Sequence, residues 1–400
     1  MESKEQRIKN LAERNVQEII DRRHFEAALR SGKKLRVKLG IDPTSPDLHI
    51  GHAVVLEKMR EFQNLGHKAV LIIGDFTARI GDPTGRSQTR KPLSEKDIRA
   101  NMKHYLAQAG KIIDITKAEI HKNSSWFLKE GVNGLFSLTA AGTVQQMLAR
   151  EDFKKRIGEG GDVTVTELLY PLLQGYDSVK VKADVELGGN DQLLNLLAGR
   201  KVQRHFGMPE QDVMTVPLLV GLDGDRKMSK SYGNYIGLTD APEDMFGKTM
   251  SLPDWLVADY FRFATALSES DIKRILGKLL EGGFSGSDWK IAKEQLAFEI
   301  VKRYHGERKA RAAQEHFDKA FSKREAPIDA PVLKLPRGAV SALDAVMASG
   351  VAASKGEARR LIEQGGFDID GVAVKNPAEP LALETGAMLK IGKKRFFRVK

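Results

Sequence analysis

Four hundred residues, 41% of them hydrophobic and 29% charged, exceed what one compact core normally holds and point to two or three globular domains. The absence of cysteine excludes disulfides and thiolate metal sites. The same absence fits the cytoplasm expected for this chain, and a polar start (Met1, Glu2, Ser3, Lys4, Glu5) and no apolar run of membrane length argue against a signal peptide or a spanning segment. The net charge of +11 favours a polyanionic partner, although a basic surface can equally serve solubility alone.

From Arg36 to Leu222 the pattern alternates strands and helices. Leu35, Val37 and Leu39 alternate with Arg36 and Lys38, strand periodicity that runs into Gly40. A helix follows, with Val55, Met59 and Phe62 on one face and Gly66 placed to end it. The unbroken apolar run Ala69 to Ile73 reads as a strand buried on both faces, and later strands are expected to end at Gly188-Gly189 and at Val220-Gly221. This alternation predicts a Rossmann-like, doubly wound parallel sheet with its ligand crevice at the carboxyl ends of the strands. His49, Asp82, Gly188 and Lys227 all fall just after predicted strands. From Asp240 to about Phe321 the signal is helical, with starts at Ser268 and Ser287 and a long basic segment from Trp289 to Ala320. A linker carrying Pro327, Pro331 and Pro336 follows, and after Arg337 a small α/β module opens a helix at Ser354 that stops at Gly365-Gly366. The expected domains are therefore residues 1–235, an α-helical domain at 236–326, and a small α+β domain at 337–400.

Two short motifs carry the chemistry. His49-Ile50-Gly51-His52 opens a helix, so two imidazoles three residues apart share its first turn, where free N–H groups and the helix dipole favour an anion. Lys227-Met228-Ser229-Lys230-Ser231 supplies two ammonium groups and two hydroxyls in a loop, and Gly224 beside it is suited to a mobile one. Taken singly, the first reads as a helix cap beside a core histidine and the second as a solvated turn. A third stretch places Tyr170, Gln174 and Asp177 at i, i+4 and i+7, on one face of a helix that Leu172 and Leu173 make partly apolar.

In this order and on this frame, the two motifs resemble the ATP-handling elements of class I aminoacyl-tRNA synthetases. The intervening residues resemble tyrosyl-tRNA synthetases, in particular a second bacterial branch that keeps the complete lysine-serine motif. The resemblance implies that His49, His52, Lys227 and Lys230 are catalytic, with Arg86 and Arg90 on the pyrophosphate. It assigns Thr44, Gly51, Gly188, Gly189, Asp191, Ser229 and Ser231 to ATP, and Asp42, Asp82, Tyr170, Gln174, Asp177 and Gln192 to tyrosine. Asn123 and Trp126 match another recurrent pair. Asp177 would accept the phenolic hydrogen, which accounts for the rejection of phenylalanine by about five orders of magnitude without editing that is known for tyrosyl enzymes. Many bacterial relatives add a tyrosine four residues before Asp42; here that position is Lys38.

The terminal module resembles the S4-type RNA-binding domain through Ser354 to Ile362, Gly365-Gly366 and Asp370-Gly371, which implies RNA contacts by Arg359, Arg360, Lys393, Lys394 and Arg395. The activity implied is tyrosine–tRNA ligation from L-tyrosine, ATP with Mg2+ and tRNA(Tyr), by a homodimer, without zinc or a redox cofactor and without a membrane partner. A tryptophanyl-tRNA synthetase remains the nearest alternative, and a non-catalytic RNA-binding paralogue the next.

Overall fold

A computed structural model describes residues 3–84, 93–280, 286–319, 330–333, 335, 340–369, 372–381, 383, 386–392 and 395–399. The chain divides into two compact units that meet in sequence at Gln314 and Glu315. The first is built on six strands: β1 (Glu18–Ile20), β2 (Arg36–Ile41), β3 (Lys68–Ile73), β4 (Glu119–Lys122), β5 (Val185–Gly189) and β6 (Asp212–Val216). Their spatial order is β1-β6-β5-β2-β3-β4, with β2 to β6 parallel and β1 antiparallel on the β6 edge. Strand order therefore runs outward in two directions from the β2/β5 pair, the switch point where such sheets open a crevice. Val37, Lys38 and Leu39 are all buried, as are Ala69 to Ile73 and Val185 to Gly188, so the sheet is covered on both faces. Lys38 thus sits in the core although the alternation around it reads as a half-wet strand.

Four helices frame the crevice. Helix α1 (Ile50–Asn64) begins at His49 in extended geometry and ends before Gly66, whose φ of 93° only glycine adopts without strain. Helix α2 (Ser124–Thr139), kinked at Gly131 where φ is 63°, follows β4, and α3 (Val165–Val181) opens with a capping box in which Thr164 and Glu167 bond each other's backbone N–H. Pro171 lies inside α3 without ending it. Helix α4 (Leu193–His205) packs closely on α3, where a Cβ on Gly175 would meet Val202 at 2.7 Å and the Gly199 Cα at 3.1 Å. Aromatic contacts of Phe76 with Phe127, Phe127 with Tyr176 and Tyr176 with Phe206 tie α2, α3 and α4 together.

The expected strand end at Val220-Gly221 is displaced: β6 stops at Val216, Pro217 follows, and Val220 instead bridges Lys227. Gly188 lies within β5 rather than after it. The helical segment comprises Pro242–Met250, Val257–Ala264, Glu269–Leu280, Gly286–His305 and Glu307–Phe317, and up to Gln314 it belongs to the same compact unit as the sheet. Ser268 caps its helix as read, whereas the helix expected at Ser287 already includes Gly286. Gly306, at φ 86°, breaks the long basic segment into two helices.

The second unit has a sheet of Val372–Ala373, Phe367–Ile369, Met388–Ile391, Arg395–Val399 and Val332–Leu333 in that order, with helices Ala342–Ala348 and Lys355–Glu363. Val332–Leu333 lies within the stretch read as linker; two residues between prolines are too few to show strand periodicity. Ala345, Val346, Ala358, Ile362, Phe367, Leu389 and Ile391 form its core. Asp370-Gly371, matched to the RNA-binding domain, lie outside the described residues.

Candidate functional site

A cavity of about 780 Å³ opens at the carboxyl ends of β2, β5 and β6. It is lined by Asp42, Asp82, Tyr170, Gln174, Asp177 and Gln192, expected for the amino acid, and by Thr44, Gly51, Gly188, Gly189, Asp191, Ser229 and Ser231, expected for the nucleotide. His49, His52 and Lys227 line it too, while Lys230 does not. Arg86 and Arg90 lie outside the described residues. Residues more than a hundred positions apart thus converge on one crevice because β2 and β5 are sheet neighbours.

At the inner end, Asp177 is 4% exposed and accepts hydrogen bonds from the Trp126 indole N–H at 3.0 Å and the Asn123 amide at 3.3 Å. Burial pushes its carboxyl up to about 7, against the attraction of Lys38 and those two bonds. The Tyr170 hydroxyl donates to Asp42 Oδ2 at 2.9 Å, and burial together with Asp42 holds its ionisation well above the usual phenol range. Its proton is committed, so its oxygen faces any ligand as an acceptor. Asp42 Oδ1 accepts from Thr77 at 2.7 Å, and this contact needs Gly74, where a Cβ would come within 2.0 Å of that oxygen. Asp82 is held by Gln192 at 2.7 Å, by the Thr84 hydroxyl at 2.7 Å and by Asn195 at 3.3 Å.

Asn195 and Arg150 were not singled out from sequence. Arg150, 7% exposed, donates to Asn195 Oδ1 at 2.8 Å and to Thr84 at 3.2 Å, and so supports the Asp82 network from a different segment. Asn195 lies three residues past Gln192 on a helical turn, a spacing that marks it in retrospect; Arg150 carries no such signal. Lys38, at the position where the resemblance leads one to expect a second phenol contact, is buried against Glu186 and does not line the cavity.

At the outer end, the His49 and His52 rings lie with centroids 3.9 Å apart and planes tilted by 50°. The His49 backbone N–H donates to His52 Nδ1 at 3.3 Å, which leaves the His52 proton on Nε2. Burial and the nearby Lys230 lower His52 to about 4, and burial, His52 and Lys230 lower His49 further, so both are neutral donors near pH 7. The space above Gly51 is taken by the His49 ring, 3.0 Å from where a Cβ would stand. Lys227 Nζ pairs with Asp191 Oδ2 at 2.6 Å, and Lys230 Nζ donates to Ser45 Oγ at 2.8 Å. Burial brings Lys230 down to about 8, against the pull of Asp47 and Asp240.

The lysine-serine segment is the end of a hairpin turned by Gly224 at φ 74°. Asn234, 4% exposed, staples it by accepting from Ser229 N–H at 2.8 Å and donating to Asp223 at 3.0 Å and to the Lys227 carbonyl at 3.2 Å. Gly224 supplies the turn at its positive φ, and a Cβ there would come within 2.9 Å of Pro253.

Residues 30–322 match the family described as tRNA synthetases class I (W and Y), and residues 343–385 match the S4 domain. The tyrosine–tRNA ligase of Aquifex aeolicus is 47% identical over 395 residues, covering 99% of this chain and 98% of that one. The tyrosine–tRNA ligase of Thermotoga maritima is 46% identical over 395 residues, with 99% and 97% covered. The chain belongs to the tyrosine–tRNA ligase family. The tyrosyl-tRNA synthetase of Archaeoglobus fulgidus, solved with L-tyrosine, superposes with a TM-score of 0.61 at 19% identity over 78% of this chain and 100% of that one. At that identity it speaks for a shared fold. Full-length likeness to tyrosine–tRNA ligases separates this member from the tryptophan side of the family, which the two ATP motifs alone leave open.

In the second unit of this tyrosine–tRNA ligase family member, Arg359 and Arg360 are exposed on helix Lys355–Glu363, and Arg395 is exposed at the start of the last strand. Lys393 and Lys394 lie outside the described residues.

Proposed function

We propose that this chain activates L-tyrosine with ATP and transfers the tyrosyl group to the 3′-terminal adenosine of tRNA(Tyr). The observation that supports it most is the single crevice holding both ATP motifs and the buried acceptor Asp177. The tyrosine ring would enter between α3 and β2, its hydroxyl donating to Asp177. Its ammonium would meet oxygens of Asp82, Tyr170 and Gln174. The substrate carboxylate attacks the α-phosphorus of ATP, the bond to the bridging oxygen breaks, and pyrophosphate leaves with the electron pair. No protein base is needed, because the attacking carboxylate is already ionised. The protein contributes position and charge stabilisation. His52 Nε2–H and the α1 N-terminus would donate to phosphate oxygens, Asp191 would take the ribose hydroxyls, and Lys227 and Lys230 would follow the departing pyrophosphate. In the second step the terminal ribose hydroxyl of the tRNA attacks the tyrosyl carbonyl and AMP leaves.

ATP enters as its magnesium complex, the ion carried mainly by phosphate oxygens and water. Among the described residues, no group of three or more His, Cys, Asp or Glu forms a protein cage for a metal. We assign residues 1–235 to tyrosine and ATP, 236–326 to the anticodon end of the tRNA, and 337–400 to RNA, with Arg359, Arg360 and Arg395 on phosphates and Lys393 and Lys394 beside them. Leu128, Val132, Phe136 and Val144 are 65%, 67%, 70% and 59% exposed, a concentration of bare apolar side chains that a second copy of the chain would cover. The setting is cytoplasmic, where tRNA, tyrosine and ATP meet; among the described residues no helix is long and apolar enough to cross a membrane.

ATP–pyrophosphate exchange with each amino acid supplied separately tests the reading. Tyrosine alone should drive exchange; exchange driven by tryptophan, or by no amino acid, would overturn it.

A further inference from the structure

Two charged side chains lie sealed beneath the amino-acid end of the cavity, and the reaction described above makes no use of them. Lys38 and Glu186 are register partners on β2 and β5, the two strands at the switch point. Their side chains are 0% and 1% exposed, with Nζ and Oε1 2.8 Å apart. Lys38 spends its other two protons on the backbone carbonyl of Gln174 at 2.7 Å and the Ser178 hydroxyl at 2.8 Å. Glu186 also accepts from the Gln174 side-chain amide at 3.1 Å, from Ser178 at 3.2 Å and from Gln211. Neither charged residue lines the cavity, whereas Gln174 does. A buried ion pair typically stabilises a fold no better than well-packed apolar residues of the same volume, so stability is a weak account of this one.

The geometry of the Gln174 amide offers a better account. An amide presents two donors on nitrogen and an acceptor on oxygen, while a carboxylate can only accept. Facing Glu186, Gln174 must turn its NH2 group downward, which leaves Oε1 for the cavity. An ammonium group carries only donors and requires an acceptor there. We infer that Lys38 and Glu186 are a positioning pair that locks the Gln174 amide with its oxygen toward the ammonium of the substrate. Lys38 completes the device in two ways: it neutralises a carboxylate that would otherwise be buried alone, and it grips the Gln174 main chain, so that α3 and the amide it carries hold one height over β2. The inference rests on the reading of this crevice as the tyrosine site.

The test compares two ligands of the full-length protein, tyrosine and 3-(4-hydroxyphenyl)propionate, which lacks the ammonium. In the double variant Lys38→Met/Glu186→Gln the pair is uncharged, and the new amide can offer Gln174 either a donor or an acceptor. Tyrosine affinity should fall roughly tenfold or more, the scale of one hydrogen bond to a charged group. Affinity for the propionate, KM for ATP and kcat of exchange should stay unchanged. All are measured well above the pH at which Asp177 titrates, so that the loss of Lys38 and Glu186 from its surroundings leaves its charge the same. Glu186→Asp, which keeps the charge on Lys38 but withdraws the acceptor from Gln174, should give a smaller loss of the same selectivity and serves if the double variant does not fold. Equal losses for both ligands, or unchanged tyrosine affinity, would overturn the inference. Gln174→Ala separates the two levels. If it leaves tyrosine binding intact, the reading of the site itself fails; if it weakens binding while the pair variants do not, only the role of the pair fails.

Discussion

Asp177 is the residue to which the proposed function gives the phenolic hydroxyl, and its environment gives it a pH signature. Burial raises its carboxyl to about 7, while Lys38 from β2 and the Asn123 and Trp126 bonds from the start of α2 oppose the rise and Glu186 from β5 adds to it. A carboxyl raised in the folded state favours the protonated fold, so its contribution to stability is complete below its ordinary value and fades as pH climbs through about 7. Tyrosine binding runs the other way, since the carboxylate is the better acceptor for a phenolic hydrogen. Tyrosine affinity should therefore rise with pH and level off above about 7, losing about tenfold for each unit below it. Fluorescence titration across that range checks this, and Asp177→Asn should flatten the curve while lowering the preference for tyrosine over phenylalanine. A flat curve in the unmodified protein would remove Asp177 from phenol recognition. The helical spacing of Tyr170, Gln174 and Asp177 made this residue legible in the sequence. Lys38 was not legible in the same way: a lysine between Val37 and Leu39 reads as the wet side of a strand, and only the β2/β5 register supplies Glu186 to hold it.

Elements were readable where local chemistry decides them, as in the cap of α1 at His49 and Gly66, the buried run of β3 and the Ser354 cap of helix Lys355–Glu363. They were not readable where a tertiary bond decides. The lysine-serine segment has the composition of a polar loop, and the structure adds Asn234, whose side chain ties it to Asp223, Lys227 and Ser229. An asparagine a few residues past a motif carries no sequence signal for that role. Leaving those backbone groups unpaired costs about 1–3 kcal/mol for each buried group, enough to loosen the segment while the sheet stays intact. Asn234→Ala should thus lower kcat of adenylate formation roughly tenfold or more and spare tyrosine affinity, because the proposed function has Lys227 and Lys230 act after the amino acid is seated. Single-turnover activation kinetics set beside tyrosine titration make the distinction. A drop in tyrosine affinity equal to the drop in rate would show that the hairpin supports the whole cavity rather than the pyrophosphate end.

At the scale of the molecule, two surfaces extend the chemistry beyond the crevice, and they call for different measurements. The bare apolar side chains of α2 predict self-association. Phe136→Asp puts a charge on a residue 70% exposed, which should leave folding intact but shift the protein toward monomer in light scattering; an unchanged mass would exclude this face as the interface. The second unit predicts a division of labour. It has its own core and keeps its own strand pairing, which includes Val332–Leu333 alongside Arg395–Val399. Truncation should therefore fall before Val332, so that no strand is left without its sheet. Because every residue described at the cavity belongs to the first unit, the shortened protein should retain full ATP–pyrophosphate exchange with tyrosine. Its loss should appear in tRNA binding, as weaker affinity and as a shallower dependence on salt, since each phosphate contact removed takes roughly one unit from the slope of log affinity against log salt concentration. Exposed Arg359, Arg360 and Arg395 are the contacts at issue, so their combined replacement by alanine in the full-length chain should reproduce about three units of that change. An unaltered salt slope in both proteins would mean that the tRNA is held by the first unit alone.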